Sequence, residues 1–198
     1  MITTLDELED ILWEELMSIL GYEIDNPAWS INPPVRRSWQ QQGQPGWSIN
    51  DDILFFKIFD ESGQDITIPV DTIINNDLAE DIQISKGQTR VLRVNLIAYG
   101  PNSYDNLINI RNYFHANRSS EILKENKIYL IPSSDVPLRM PELFLQQWWE
   151  RADLNLRFNC LMTYTTQINE IKTVPLNVYG NASGETVIEN HREITKGD

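Results

Sequence analysis

An α+β fold, with an antiparallel or mixed β-sheet and helices packed on one face, is what this 198-residue chain predicts. Three observations lead there. Apolar residues recur at helical spacing near the start, at Leu5, Leu8, Leu12, Leu16 and Ile19. Two later stretches, 89–100 and 154–164, alternate apolar and polar residues as half-buried strands do. Between them a glycine turn leads into a second helical pattern. The order helix, strand, strand, strand, helix, strand, strand, strand suits long antiparallel strands covered by helices on one face.

The first helix is expected from Leu5 to Leu20. Thr4 and Glu7 have capping-box spacing, and Gly21 suits the C-terminal cap. Its outer face carries Asp6, Asp10 and Glu14 at i, i+4 spacing, where like charges repel mildly. Residues 25–50 hold four prolines, two glycines and the tryptophans Trp29, Trp39 and Trp47, with no period of 2 or 3.6. They read as a long arm, either packed irregularly on the core or ordered on a neighbouring molecule. Residues 51–59 read as a strand, 60–65 as a turn, 66–70 as a returning strand and 71–88 as a loop.

In 89–100, Leu92, Val94, Leu96 and Ala98 share one face. Asn102 or Ser103 then caps a helix bearing Leu107, Ile110 and Phe114. Residues 127–131 are a short strand, and 132–144, with three prolines, a second long loop. In 154–164 the residues Leu154, Leu156, Phe158, Cys160, Met162 and Tyr164 alternate with polar ones. Residues 173–180 are expected to return beside that strand through a turn near Asn169. Residues 1–180 are thus expected to form one domain, with 181–198 a polar, frayed tail.

Composition narrows the function. No apolar run approaches the ~20 residues of a membrane span, and the acidic N-terminus does not resemble a signal peptide. One cysteine allows no internal disulfide and fits a reducing compartment. A net charge of −13 argues against a protein that grips DNA, because such binding neutralises phosphates with Lys and Arg. The only histidines are His115 and His191, and no metal-ligand spacing, phosphate loop or nucleophile motif occurs. No cofactor is expected. Cys160 falls on the apolar phase of its strand and reads as core. Asp51, Asp52, Glu150 and Asp153 sit at strand ends, where charges are common, so catalysis is not expected of them.

The aromatic, proline-rich loops are the features left over. Trp148 and Trp149 are adjacent in "QQWWERADLNLRF". A strand sends neighbours to opposite faces, so one of the pair would pack inward and leave the other for a partner. Trp and Arg are the residue types that interface centres favour. The candidate interface residues are therefore Arg36, Arg37, Trp39, Trp47, Trp148, Trp149 and Arg151.

The runs "RVNLIAYGPNSYDNLINIRNYF", "YLIPSSDVPLRMPELFLQQWWERADLNLRFNCLMTYTTQINEI" and "VPLNVYG", with "RRSWQQQGQPGWSINDDILFFKI" upstream, resemble the neck or tail-terminator proteins of tailed bacteriophages over roughly residues 5–180. The resemblance implies an α+β structural protein of the virion, made in the host cytoplasm, with no enzymatic activity. It implies a homo-oligomeric ring of six subunits that caps the tail tube and joins it to the head connector or adaptor, with the sheath as a further neighbour. DNA would pass through an acidic lumen without being held, and no membrane is involved. Two other readings stay open: an assembly factor whose acidic first helix holds a basic partner, and an enzyme built on Asp51, Asp52 and Glu150.

Overall fold

The computed structural model describes residues 4–38, 43, 45–61, 70–74, 81–117, 120–133, 135–169, 173–182 and 185–195. The first helix, α1, is Leu5–Ile19, and its capping box is formed: Thr4 and Glu7 each accept from the other's backbone N–H. It ends as glycine allows. Gly21 takes φ +78°, the Gly21 N–H donates to Ser18 O at 3.0 Å, and the Tyr22 N–H to Met17 O at 2.9 Å. Leu8, Leu12 and Leu16 are buried as the spacing predicts. Leu5 is instead exposed, and Glu15 is buried beside Tyr113, whose hydroxyl it raises in pKa together with desolvation, the larger cause.

The strands are β1 Val35–Arg37, β2 Ile53–Asp60, β3 Val70–Ile74, β4 Asp81–Tyr99, β5 Ile128–Ile131, β6 Leu138–Arg139, β7 Glu142–Phe144, β8 Gln147–Trp149, β9 Arg151–Asn169, β10 Thr173–Ala182 and β11 Glu185–Thr195. The other helices are α2 Ser103–Asn117 and α3 Glu121–Glu125, with a 3₁₀ turn at Pro27–Ser30. The main sheet has the order β1-β2-β4-β9-β5, with β3 on β4 and β6 on β9. It is mixed: β1 runs parallel to β2, while β2–β4, β5–β9 and β6–β9 are antiparallel. The α+β class follows directly.

The chain divides into two compact units, Met1–Val70 with Lys86–Tyr164, and Asp71–Ser85 with Thr165–Asp198. The first holds the core. Leu54, Phe56 and Ile58 of β2, Leu92 to Ala98 at every second position of β4, and Ala152 to Cys160 likewise in β9 meet Leu107, Ile110 and Phe114 of α2 and Leu123 of α3. Alternation along each strand sets this face, as the sequence pattern requires. Cys160 lies within it, fully buried.

The second unit holds the β10–β11 ribbon, in register from Thr173↔Thr195 to Ala182↔Glu185 with an irregularity at Gly180/Asn181. Two sequence expectations differ here. Residues 185–195 are a strand and not a frayed tail, and β10 pairs with β11 instead of returning beside β9. Polarity misleads in this segment: "ETVIENHREIT" carries five β-branched residues among its charges, which is enough for a strand. Part of the expected loop 71–88 is likewise strand, in β3 and the start of β4. The returning strand at 66–70 lies outside the described residues except for Val70.

Candidate functional site

The described residues of the proline- and tryptophan-rich stretch belong to the first unit. β1 forms the edge of the main sheet. The Trp13 indole donates to Val35 O at 3.0 Å. Arg37 ion-pairs with Glu9 at 3.3 Å and Asp10 at 2.5 Å, tying β1 to α1. Arg36 is 1% exposed. Its guanidinium donates to Pro33 O at 2.8 Å, Pro45 O at 2.6 Å and Asn32 Oδ1, and sits 5.6 Å from the Trp47 ring centre. A planar fork with five donors can satisfy these divergent acceptors at once. Arg36 therefore fastens a loop inside the subunit and offers no surface for a partner, contrary to the sequence expectation. Trp39 lies outside the described residues.

Trp47 meets Phe55, Tyr99 and Trp149 at centroid distances of 5.1, 5.8 and 6.3 Å. This cluster floors a cavity of about 340 Å³ lined by Gly46, Trp47, Tyr99, Glu142, Phe144 and Trp149. The indole nitrogens of Trp47 and Trp149 are shut off from solvent with no hydrogen-bond partner among the described residues. The cavity wall is mainly aromatic, and its polar side-chain groups include the Glu142 carboxylate and the Tyr99 hydroxyl. That carboxylate accepts from the Tyr99 hydroxyl at 2.9 Å and from Arg151 at 3.3 Å. Burial first, then this hydrogen bond, pushes the Tyr99 phenol up to about 12. Arg151 also grips Asp153 with two bonds of 2.8 Å, which holds its guanidinium firmly protonated.

β7 and β8 form the hairpin above this cluster, in the register Glu142↔Trp149, Leu143↔Trp148, Phe144↔Gln147. Opposed residues share a face. Trp149, Glu142 and Phe144 thus belong to the cavity side, and Phe144 also meets Trp149 edge-on at 6.0 Å. Leu143 and Trp148 form the other side and are 58% and 65% exposed. The adjacent tryptophans divide as strand geometry demands: Trp149 packs and Trp148 is left outside. The turn residues Leu145 and Gln146 have φ +47° and +64°, and Leu145 is 80% exposed.

The surroundings extend this surface. Val136, Leu138 and Met140 are exposed on the preceding segment, which is held by β6 and by the Met140 N–H donating to Arg151 O at 2.8 Å. Of the fifteen exposed large apolar residues among the described ones, seven fall between 136 and 148. Residue type alone singles out Trp148 there but not its aliphatic neighbours. The available signal was an apolar series, Val136, Leu138, Met140, Leu143 and Leu145, set among prolines where no core strand can run.

The carboxylates of the enzyme reading, Asp51, Asp52 and Glu150, have structural partners. Asp51 accepts from the Ser48 N–H at 2.8 Å, and Asp52 accepts from the backbone and side-chain nitrogens of Asn102 at the start of α2. Glu150 pairs with Arg139 at 2.8 Å. None of the three lines the cavity. Burial pushes the Cys160 thiol up to about 11, away from nucleophile chemistry. Among the described residues no cluster of His, Cys, Asp and Glu could hold a metal ion, and no helix is long and apolar enough to cross a membrane.

A family model described as phage neck terminator protein matches residues 6–185. No curated protein matches the chain.

Proposed function

Because the chain belongs to the phage neck terminator family, we propose that it assembles into a ring, six-membered as the family resemblance implies, that ends the tail tube at the virion neck and joins it to the head connector. Self-association and contact with other head–tail proteins are what membership implies; the ring, its copy number and its neighbours are this proposal. The role is structural, and DNA moves through the ring without being gripped. A net charge of −13 supports that last point, since an acidic wall repels the phosphate backbone.

The observation that carries the proposal is the apolar surface of residues 136–148. Phe144 faces the cavity; if each of the other six exposed side chains presents on the order of 100 Å², the stretch offers roughly 600 Å². A standard interface buries ~800 Å² per partner, and isolated apolar patches on monomers rarely exceed a few hundred Å². Trp148 and Leu143 are the central anchors of that surface, with Leu138, Met140 and Val136 along its flank. Arg151 positions the hairpin through Glu142 and Asp153 rather than reaching a partner itself. The alternative of an acidic helix holding a basic partner is weakened, because Glu9 and Asp10 of α1 are already bound by Arg37.

Negative-stain electron microscopy of the purified chain, alone and mixed with the tail tube protein of the same phage, tests the proposal. Closed rings are expected, and they should be lost in Leu143→Ser/Trp148→Ser with the fold intact. Rings that persist in that double variant would remove the surface from the interface.

A further inference from the structure

Building on the ring assembly above, we propose that Leu145, at the tip of the β7–β8 hairpin, is the anchor with which one copy of the chain holds the next, and that an ill-suited turn is kept there for this purpose. The loop has two residues, Leu145 and Gln146, and both have positive φ. That is the geometry of a type I′ turn, which matches the twist of paired strands and is met best by Asn-Gly. Leucine has neither the missing Cβ of glycine nor the locally bonding side chain of asparagine, so the left-handed region is unfavourable for it.

Packing inside the subunit does not compensate. Leu145 is the most exposed of the large apolar residues described. A residue that disfavours its own turn and touches little of its own chain is accounted for by a contact outside the chain. The hairpin also presents the tip firmly. Trp149 is wedged against Trp47, and Glu142 is held by Tyr99 and Arg151, so little freedom remains to be lost on docking.

A second copy is the fitting occupant. Two chains of net charge −13 repel one another over most of their surfaces. At the base of this hairpin the charge is nearly balanced: Glu142 and Asp153 share Arg151, and Glu150 pairs with Arg139, which leaves a single negative charge there. The apolar tip thus rises from ground that a like-charged copy can approach at little electrostatic cost, and the exposed apolar area on the outer side, roughly 600 Å², is most of one side of a standard interface.

The test separates the turn from the anchor. Leu145→Asn relieves the turn and removes the apolar tip; Gln146→Gly relieves the turn and keeps the tip. Tm and sedimentation velocity over a concentration series are measured for both and for the wild-type chain, alone and with tail tube protein. Each variant is expected to raise Tm by roughly 2–5 °C. Gln146→Gly should associate as the wild type does, while Leu145→Asn should weaken association at least about tenfold. A Leu145→Asn chain that assembles as well as wild type overturns the anchor and leaves the ring standing. A lower Tm for both variants overturns the strained turn on which the inference depends. A wild-type chain that stays monomeric throughout removes the ring itself, and the anchor with it.

Discussion

Replacing each of the two adjacent tryptophans by alanine should give opposite results. Trp149 packs edge-on against Trp47 at 6.3 Å and Phe144 at 6.0 Å. Each aromatic pair contributes about 0.5–1.5 kcal/mol beyond simple burial, and a half-buried indole removes on the order of 100 Å² from water, or about 2.5 kcal/mol. Trp149→Ala should therefore destabilise the fold by about 3.5–5.5 kcal/mol, at the upper end of the range for large-to-small aromatic replacements. For a chain of this size that is a Tm decrease of roughly 7–20 °C. Trp148 is 65% exposed and lies on the opposite face of the same strand. Trp148→Ala should change stability by no more than about 0.5 kcal/mol but weaken ring formation by at least tenfold, as the loss of a central interface tryptophan does. Urea denaturation followed by far-ultraviolet circular dichroism gives the first quantity, and sedimentation velocity the second. Equal destabilisation by both variants would refute the division of the pair between core and surface. Normal assembly of Trp148→Ala would refute its place in an interface.

Three further outcomes follow from the geometry. Arg36→Lys should cost about 3 kcal/mol in urea melts despite keeping the charge, since one ammonium cannot replace a fork that serves Pro33, Pro45 and Asn32 together. Gly100→Ala should cost a similar ~3 kcal/mol: Gly100 has φ +105°, and a Cβ there would lie 2.5 Å from both the Asp51 carbonyl oxygen and the Asp52 carboxylate that holds the start of α2. In an alkaline spectrophotometric titration, Tyr99 should ionise near pH 12, and the step should vanish in Tyr99→Phe. Because its folded pKa is raised from 10, the Tyr99 contribution to stability is complete below about pH 10 and is lost as pH rises towards 12.

What the sequence could show was set by how local each determinant is. The α1 cap, the glycine stop and the buried alternation of β4 and β9 are written in neighbouring residues, and all are as expected. Glu15 is buried although its residue type argues for solvent, because α1 and α2 enclose it; only packing reveals that. The adjacent tryptophans were informative because a strand must split them, but the pattern could not say which one faced in. That was decided by Trp47, a hundred residues earlier, which supplies the ring Trp149 packs on. Arg36 is hard to read from sequence for a related reason. An arginine beside prolines and tryptophans looks like an interface anchor, and only the folded loop brings the Pro33 and Pro45 carbonyls around it. The β11 strand was hidden by its charges, which hydropathy weighs more heavily than β-branching.

The central claim is that this chain is a stoichiometric ring of the virion neck. Quantitative mass spectrometry of gradient-purified particles from the source phage, with this chain measured against the portal protein, tests it most directly. A fixed, low, ring-like ratio of this chain to the portal protein in every complete particle is the predicted result. Absence of the chain from complete particles, with the chain present only in assembly intermediates or free in the lysate, would contradict the account and make the protein an assembly factor.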